Sequence, residues 1–109
     1  MRKLALLCAL CGAAFAAPAQ DAATLARGKA VFDHWCLACH GDGDQYPGTV
    51  ALRVKYGDGV PAVLEQRSDL VPEVVRTFVR NGISVMPFFR KTEISDDELE
   101  ALAQYLSSR

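Results

Sequence analysis

Cys36-Leu37-Ala38-Cys39-His40 sets two thiols three positions apart and an imidazole directly after the second. That spacing suits covalent capture of a porphyrin: two thiols add across two vinyl groups, and the next residue sits beneath the metal. A redox dithiol and half of a zinc site are the competing readings. Zinc needs two ligands beyond the cysteines. After residue 19 the chain has no further cysteine and, besides His40, only one histidine, His34. A thioredoxin-like dithiol needs a βαβ context, and no such pattern is visible.

Met86-Pro87 offers a second donor. Met86 is the only methionine apart from Met1. The proline keeps Met86 out of helical geometry, so its thioether is free to be aimed from an extended loop. A lone methionine is ordinarily a core filler; beside a porphyrin-attachment motif it becomes the candidate ligand for the opposite face of the iron. His34 competes for that role. It lies on the attachment side, six residues before His40, and reads instead as an exposed or locally bonded histidine.

Helices must carry these donors. Leu25, Gly28, Val31, Phe32 and Trp35 recur at helical spacing and predict a first helix over Ala22 to Trp35. Gly28 disfavours a helix interior, and a close crossing by another helix would explain it. The stretch from Gly41 to Gly59 reads as loop with a short helix near Val50 to Lys55, and a further short helix is expected over Pro61 to Gln66. Val71, Val74, Val75, Phe78 and Val79 form the stripe of the next helix, with Pro72 in its first turn and Gly82 as its stop. Arg76 and Arg80 point away from that stripe, and Arg80 suits the negative helix end. The last helix carries its own start signal. Ser95 with Glu98 three residues on is a capping box, Ile94 is placed to staple onto Leu99, and Leu99, Leu102, Ala103 and Leu106 form the buried stripe.

The N-terminus reads as an export signal. Met1-Arg2-Lys3 is basic, Leu4 to Leu10 is apolar, and small residues allow cleavage after Ala16 or Ala19. The apolar run falls short of the roughly 20 residues that span a bilayer, so no membrane anchor is expected; Cys8 and Cys11 leave with the peptide. The expected division is therefore a signal peptide over 1–19 and one small domain over 20–109, in an oxidising, periplasmic compartment. Without Arg2 and Lys3, ten basic residues face thirteen acidic ones, a net charge of −3. That balance argues against nucleic-acid or anionic-membrane partners. A domain of this size is marginal on its own apolar core, and a covalent haem would act as both cross-link and packing plate.

The order of N-terminal helix, Cys-x-x-Cys-His, loop, helix, Met-Pro and C-terminal helix resembles a small class I cytochrome c over the whole chain beyond the signal. The resemblance implies an all-α fold of four to five helices around one covalently attached haem c. It implies attachment through Cys36 and Cys39, His40 and Met86 as iron ligands, and Pro47 as the nearest proline whose carbonyl would orient the histidine. Gly28 and Phe32 match the glycine and aromatic of the family's first helix, and Leu102 and Tyr105 fit the helix that crosses it. A narrower likeness runs through Val79-Arg80-Asn81-Gly82, Met86-Pro87-Phe88 and the Ile94-to-Leu106 helix. These resemble the cytochrome subunits of flavin-dependent p-cresol and alkylphenol hydroxylases, whereas Gly41 to Gly59 departs from that pattern.

With two axial ligands the iron has no open position, so the expected function is one-electron transfer and not catalysis on a bound molecule. Methionine ligation favours the reduced state relative to a second histidine. The expected haem pocket is Leu52, Leu64, Val75, Phe78, Val79, Phe88 and Phe89, with Arg90-Lys91 as a docking rim. Donor and acceptor would be redox proteins, a flavin-dependent dehydrogenase or hydroxylase being the partner that the narrower likeness implies. If Met86 were not a ligand, the alternative is a haem enzyme or gas sensor with an open distal position. Free shuttle and enzyme subunit are both compatible with these residues.

Overall fold

The computed structural model describes residues 21–109. The expected signal peptide over 1–19, with Cys8 and Cys11, lies outside the described residues. The described residues form five α-helices and one short 3₁₀ turn, in the order α1 (Ala22–Trp35), α2 (Leu37–His40), α3 (Pro47–Tyr56), a 3₁₀ turn (Leu64–Gln66), α4 (Pro72–Asn81) and α5 (Asp96–Ser107). The only β pairing among the described residues is an isolated bridge between Ile83 and Met86. The all-α expectation holds.

α1 has its expected bounds. Asp21 caps it by accepting from the amide of Ala23, and Val31 and Phe32 bury its inner face. α5 begins at the capping box, where Ser95 Oγ accepts from the Glu98 amide at 3.2 Å and the Glu98 carboxylate accepts from the Ser95 amide at 2.8 Å. Such a cap is worth about 1 kcal/mol. Three acidic residues in its first turn also complement the positive end of the helix.

α1 and α4 both pack on α5. The core they share comprises Val31 and Phe32 from α1, Val75 and Val79 from α4, Ile94, and Leu99, Leu102, Ala103, Tyr105 and Leu106 from α5. Ile94 and Leu99 join it from either side of the Ser95 cap, as the staple requires. The α1–α5 crossing closes on Gly28, where a Cβ would stand 2.1 Å from the carbonyl oxygen of Ala101. No side chain fits between those backbones.

The middle third departs from expectation. α3 starts at Pro47, three residues before Val50, because proline suits the first helical position and Thr49 anchors the turn. Thr49 is fully buried and donates to the carbonyl of Gly41 at 2.7 Å. The helix expected over Pro61 to Gln66 shrinks to the single 3₁₀ turn, since Val63 is extended at φ −75°, ψ 117°. α4 ends as expected, with Gly82 at φ +65°, a conformation that glycine adopts without steric cost.

Candidate functional site

The attachment motif sits on one turn of helix. Cys36 ends α1, its amide bonding to the Phe32 carbonyl at 2.8 Å, and at once opens α2. The amides of Cys39 and His40 return to the Cys36 carbonyl at 3.1 and 2.9 Å. Residues at i, i+3 and i+4 share a helix face, so both thiols and the imidazole are presented together. Both cysteines are free thiols. Burial, and then the neighbouring Cys39, pushes the Cys36 thiol up to about 12. Redox dithiols work through a lowered thiol pKa, so this environment opposes that reading. Among the described residues, no group of three or more His, Cys, Asp or Glu is arranged to hold a metal ion, which opposes the zinc reading.

His40 is half-buried, and desolvation holds it below the ordinary imidazole range. It is therefore neutral near pH 7, the form that ligates a metal. Its Nδ1 is buried without a hydrogen-bond partner. The ring lies against Gly48, where a Cβ would stand 2.9 Å from Cε1 and 2.7 Å from the Cys39 carbonyl oxygen. Pro47 precedes that glycine as the first residue of α3; no hydrogen bond joins it to His40 Nδ1.

Met86 closes a tight turn. Ile83 and Met86 exchange main-chain hydrogen bonds of 3.1 and 2.9 Å, and the backbone from Met86 to Phe88 folds onto Gly82, leaving no room there for a Cβ. The Phe89 amide then bonds to the Val79 carbonyl at 2.8 Å. The ring of Phe89 meets Trp35 edge-on, with centroids 5.7 Å apart. Trp35 directly precedes Cys36, so the methionine loop and the attachment turn are neighbours in space. His34 is exposed on α1, its ring edge-on to Trp35 at 4.7 Å.

The expected pocket residues divide into two sets. Val75 and Val79 belong to the protein core, with Leu64 and Phe89 packed at its margin. Phe78 is 38% exposed and Phe88 60%. Val71 and Val74 are open as well, so α4 buries one apolar stripe against α5 and presents a second. Leu52 is half-buried on α3. Open large apolar side chains on α4 and the loop after it, together with the unpartnered Nδ1 of His40, are what a flat apolar cofactor would cover. The residues present fit a haem.

The cytochrome c oxidase, cbb3-type, subunit III family model matches residues 23–106. The chain belongs to the cytochrome c family. Its all-α architecture is the class I cytochrome fold, and the family implies haem c. The chain is 35% identical over 82 residues to the 4-cresol dehydrogenase (hydroxylating) cytochrome c subunit of Pseudomonas putida, covering 74% of this chain and 58% of that one. It is 33% identical over 86 residues to cytochrome c6 of Cladophora glomerata, covering 79% and 89%. It is 37% identical over 92 residues to the cbb3-type cytochrome c oxidase subunit CcoP of Azospirillum sp. (strain B510), covering 81% and 29%. The cytochrome thus spans under a third of the oxidase subunit and somewhat over half of the dehydrogenase subunit. No helix among the described residues is long and apolar enough to cross a membrane.

Two features of the site carry no plain sequence signal. Arg80 reaches the main chain of the methionine loop, a tertiary contact that helical periodicity does not announce. Arg90 and Lys91, read as a docking rim, are each paired, with Glu93 at 3.3 Å and with Asp96 at 2.8 Å.

Proposed function

We propose that this cytochrome is a one-electron carrier holding one haem c, attached through Cys36 and Cys39 and ligated by His40 and Met86. Haem c, when bound, supplies an Fe(II)/Fe(III) couple. The observation that supports the reading is the Trp35–Phe89 contact, which joins the residue before Cys36 to the loop that carries Met86. In this reading the neutral imidazole of His40 and the thioether of Met86 would hold the iron, and the thioether would favour the reduced state. Phe78, Phe88, Val74 and Leu52 exclude water from the porphyrin, while Val79 backs them from the core. Two protein ligands leave no position for a substrate, so the protein moves electrons and performs no chemistry on a bound molecule.

Residues 1–19 act as the export signal and 20–109 as the cytochrome domain, which works in the periplasm. Its donor is a periplasmic dehydrogenase, and its acceptor is a redox protein of higher potential. The likeness to a 4-cresol dehydrogenase (hydroxylating) cytochrome c subunit supports a dehydrogenase as the donor, and the narrower sequence resemblance makes a flavin-dependent one the candidate.

The test is the visible spectrum of protein exported from a host competent for haem attachment, recorded oxidised and reduced, with a haem stain of the denatured chain. Sharp low-spin reduced bands, a weak far-red ferric band of sulfur–iron ligation and haem that survives denaturation are expected. A high-spin ferric spectrum would move the protein to the enzyme or sensor reading, and a colourless chain would remove the haem altogether.

A further inference from the structure

One side chain holds both ends of the segment that follows Met86. Arg80, on the last turn of α4, donates from Nη1 to the carbonyl of Phe89 at 3.0 Å and to that of Ile94 at 2.9 Å. Its Nη2 donates to Asp96 Oδ1 at 2.9 Å, and the side chain is only 22% exposed. Phe89 and Ile94 lie between α4 and α5, where neither carbonyl has an intrahelical donor. Lys91 adds a second cation on Asp96 at 2.8 Å. Met86 therefore stands between two pinned points: the Ile83–Met86 bridge over Gly82 on one side, and the Arg80-bound carbonyl of Phe89 on the other.

The attachment of α4 to α5 does not depend on this contact. Val75 and Val79 share a core with Leu99, Leu102 and Leu106, and Arg76 ties the two helices through a forked pair to Glu100 at 2.8 to 3.0 Å. What Arg80 alone supplies is a fixed fork across the loop, a geometry that a lysine ammonium does not reproduce.

We propose that Arg80 is the positioning residue that keeps Met86 on the iron, by clamping the Phe89 and Ile94 carbonyls and so limiting the opening of the methionine loop. The proposal rests on Met86 as ligand, and the experiment separates the two. Ferric, haem-loaded protein is titrated with imidazole, which competes for the methionine position, while the far-red sulfur–iron band is followed. Wild type, Arg80→Met, Arg80→Lys, Met86→Ala and Arg76→Met are compared.

Arg80→Met is expected to bind imidazole about tenfold more tightly than wild type, the equivalent of roughly one strong hydrogen bond lost, and to show a weakened far-red band. Arg80→Lys should lie between the two. Arg76→Met, which breaks a helix–helix pair of similar strength, should bind as wild type does. Equal imidazole affinity in wild type and the Arg80 variants, or an equal rise in Arg76→Met, would overturn the clamp. If Arg80→Met does not accumulate as loaded protein, Arg80→Lys carries the decision: a tighter constant than wild type supports the clamp, and an unchanged one overturns it. Absence of the far-red band in wild type, with Met86→Ala binding imidazole no more tightly, would instead remove Met86 as ligand and the clamp with it.

Discussion

Gly28 of α1 and Tyr105 of α5 approach so closely that a Cβ on the glycine would stand 2.6 Å from the tyrosine Cβ. The Tyr105 hydroxyl donates to Glu65 in the 3₁₀ turn, and the guanidinium of Arg109 lies 4.2 Å over its ring. Tyr105 thus joins the α1–α5 crossing to the middle of the chain. Gly28→Ala must separate two helix backbones, and the nearest obstacle is the Ala101 carbonyl, which no rotamer change moves. The better helix propensity of alanine returns up to about 1 kcal/mol, while overpacking costs about 1–3 kcal/mol. A net loss of about 1–2 kcal/mol is expected in denaturant melts of the haem-loaded protein, with the far-red band of the folded fraction unchanged.

Gly48 offers a different test, because its neighbour His40 is the proposed proximal ligand. A Cβ there would press on the His40 ring and on the Cys39 carbonyl together. Gly48→Ala is expected to cost about 1–3 kcal/mol and to alter the ferric electron paramagnetic resonance spectrum, since tilting the imidazole changes its bond to iron. An unchanged spectrum with lowered stability would mean that α3 shifts and the histidine does not.

Met86→Ala should leave the haem attached, because the proposed attachment is through Cys36 and Cys39. The far-red band should vanish. The potential should fall within the roughly 0.8 V span that axial ligation commands. Redox titration against wild type is the measurement, and identical midpoints would remove Met86 from the ligand set.

Acid should loosen the methionine loop through the carboxylates that fasten it. Lys91 first, and then Arg80, holds the Asp96 carboxyl below its ordinary value, and the Arg90 amide and guanidinium do the same for Glu93. A carboxyl whose folded pKa is depressed stabilises the fold fully above its unfolded pKa, about 4. That contribution is lost as pH falls through the lower folded value. The far-red band should therefore persist through mild acid and fade below about pH 4. Asp96→Asn should make that fading shallower, read by absorbance and circular dichroism along one acid titration.

How far these relationships could be read from the chain differs by element. α1 was legible in its bounds through a buried stripe, and α5 in its start through the Ser95–Glu98 box, its end falling one residue past Leu106. α4 was legible in its bounds, through Pro72 and Gly82, but not in the use of its faces: five apolar residues cover more than one face, and only Val75 and Val79 enter the core. The first turn of α3 was hidden because Pro47-Gly48-Thr49 has turn chemistry, and its helical state rests on a tertiary bond from Thr49 to Gly41. The grouping of Cys36, Cys39 and His40 on one turn was legible because the three are adjacent in sequence. The Arg80 clamp was not, since carbonyl oxygens nine and fourteen residues downstream leave no trace in side-chain pattern.

Ser84 carries the last prediction. It has φ +54°, the only positive φ at a non-glycine position among the described residues, and it sits inside the turn that Ile83 and Met86 close. The left-handed conformation costs a residue with a Cβ about 1 kcal/mol or more, and glycine avoids that cost while losing more freedom on folding. Ser84→Gly should therefore be neutral to about 0.5 kcal/mol more stable, with the turn and the far-red band intact. Ser84→Val should cost about 1–2 kcal/mol, because a branched Cβ is poorly tolerated there. If the turn positions Met86, the valine variant should also bind imidazole more tightly than wild type. A valine variant that is destabilised yet binds imidazole as wild type does would show that the turn can deform without moving the thioether, and would place the whole restraint on Met86 in the Phe89–Arg80 side of the loop.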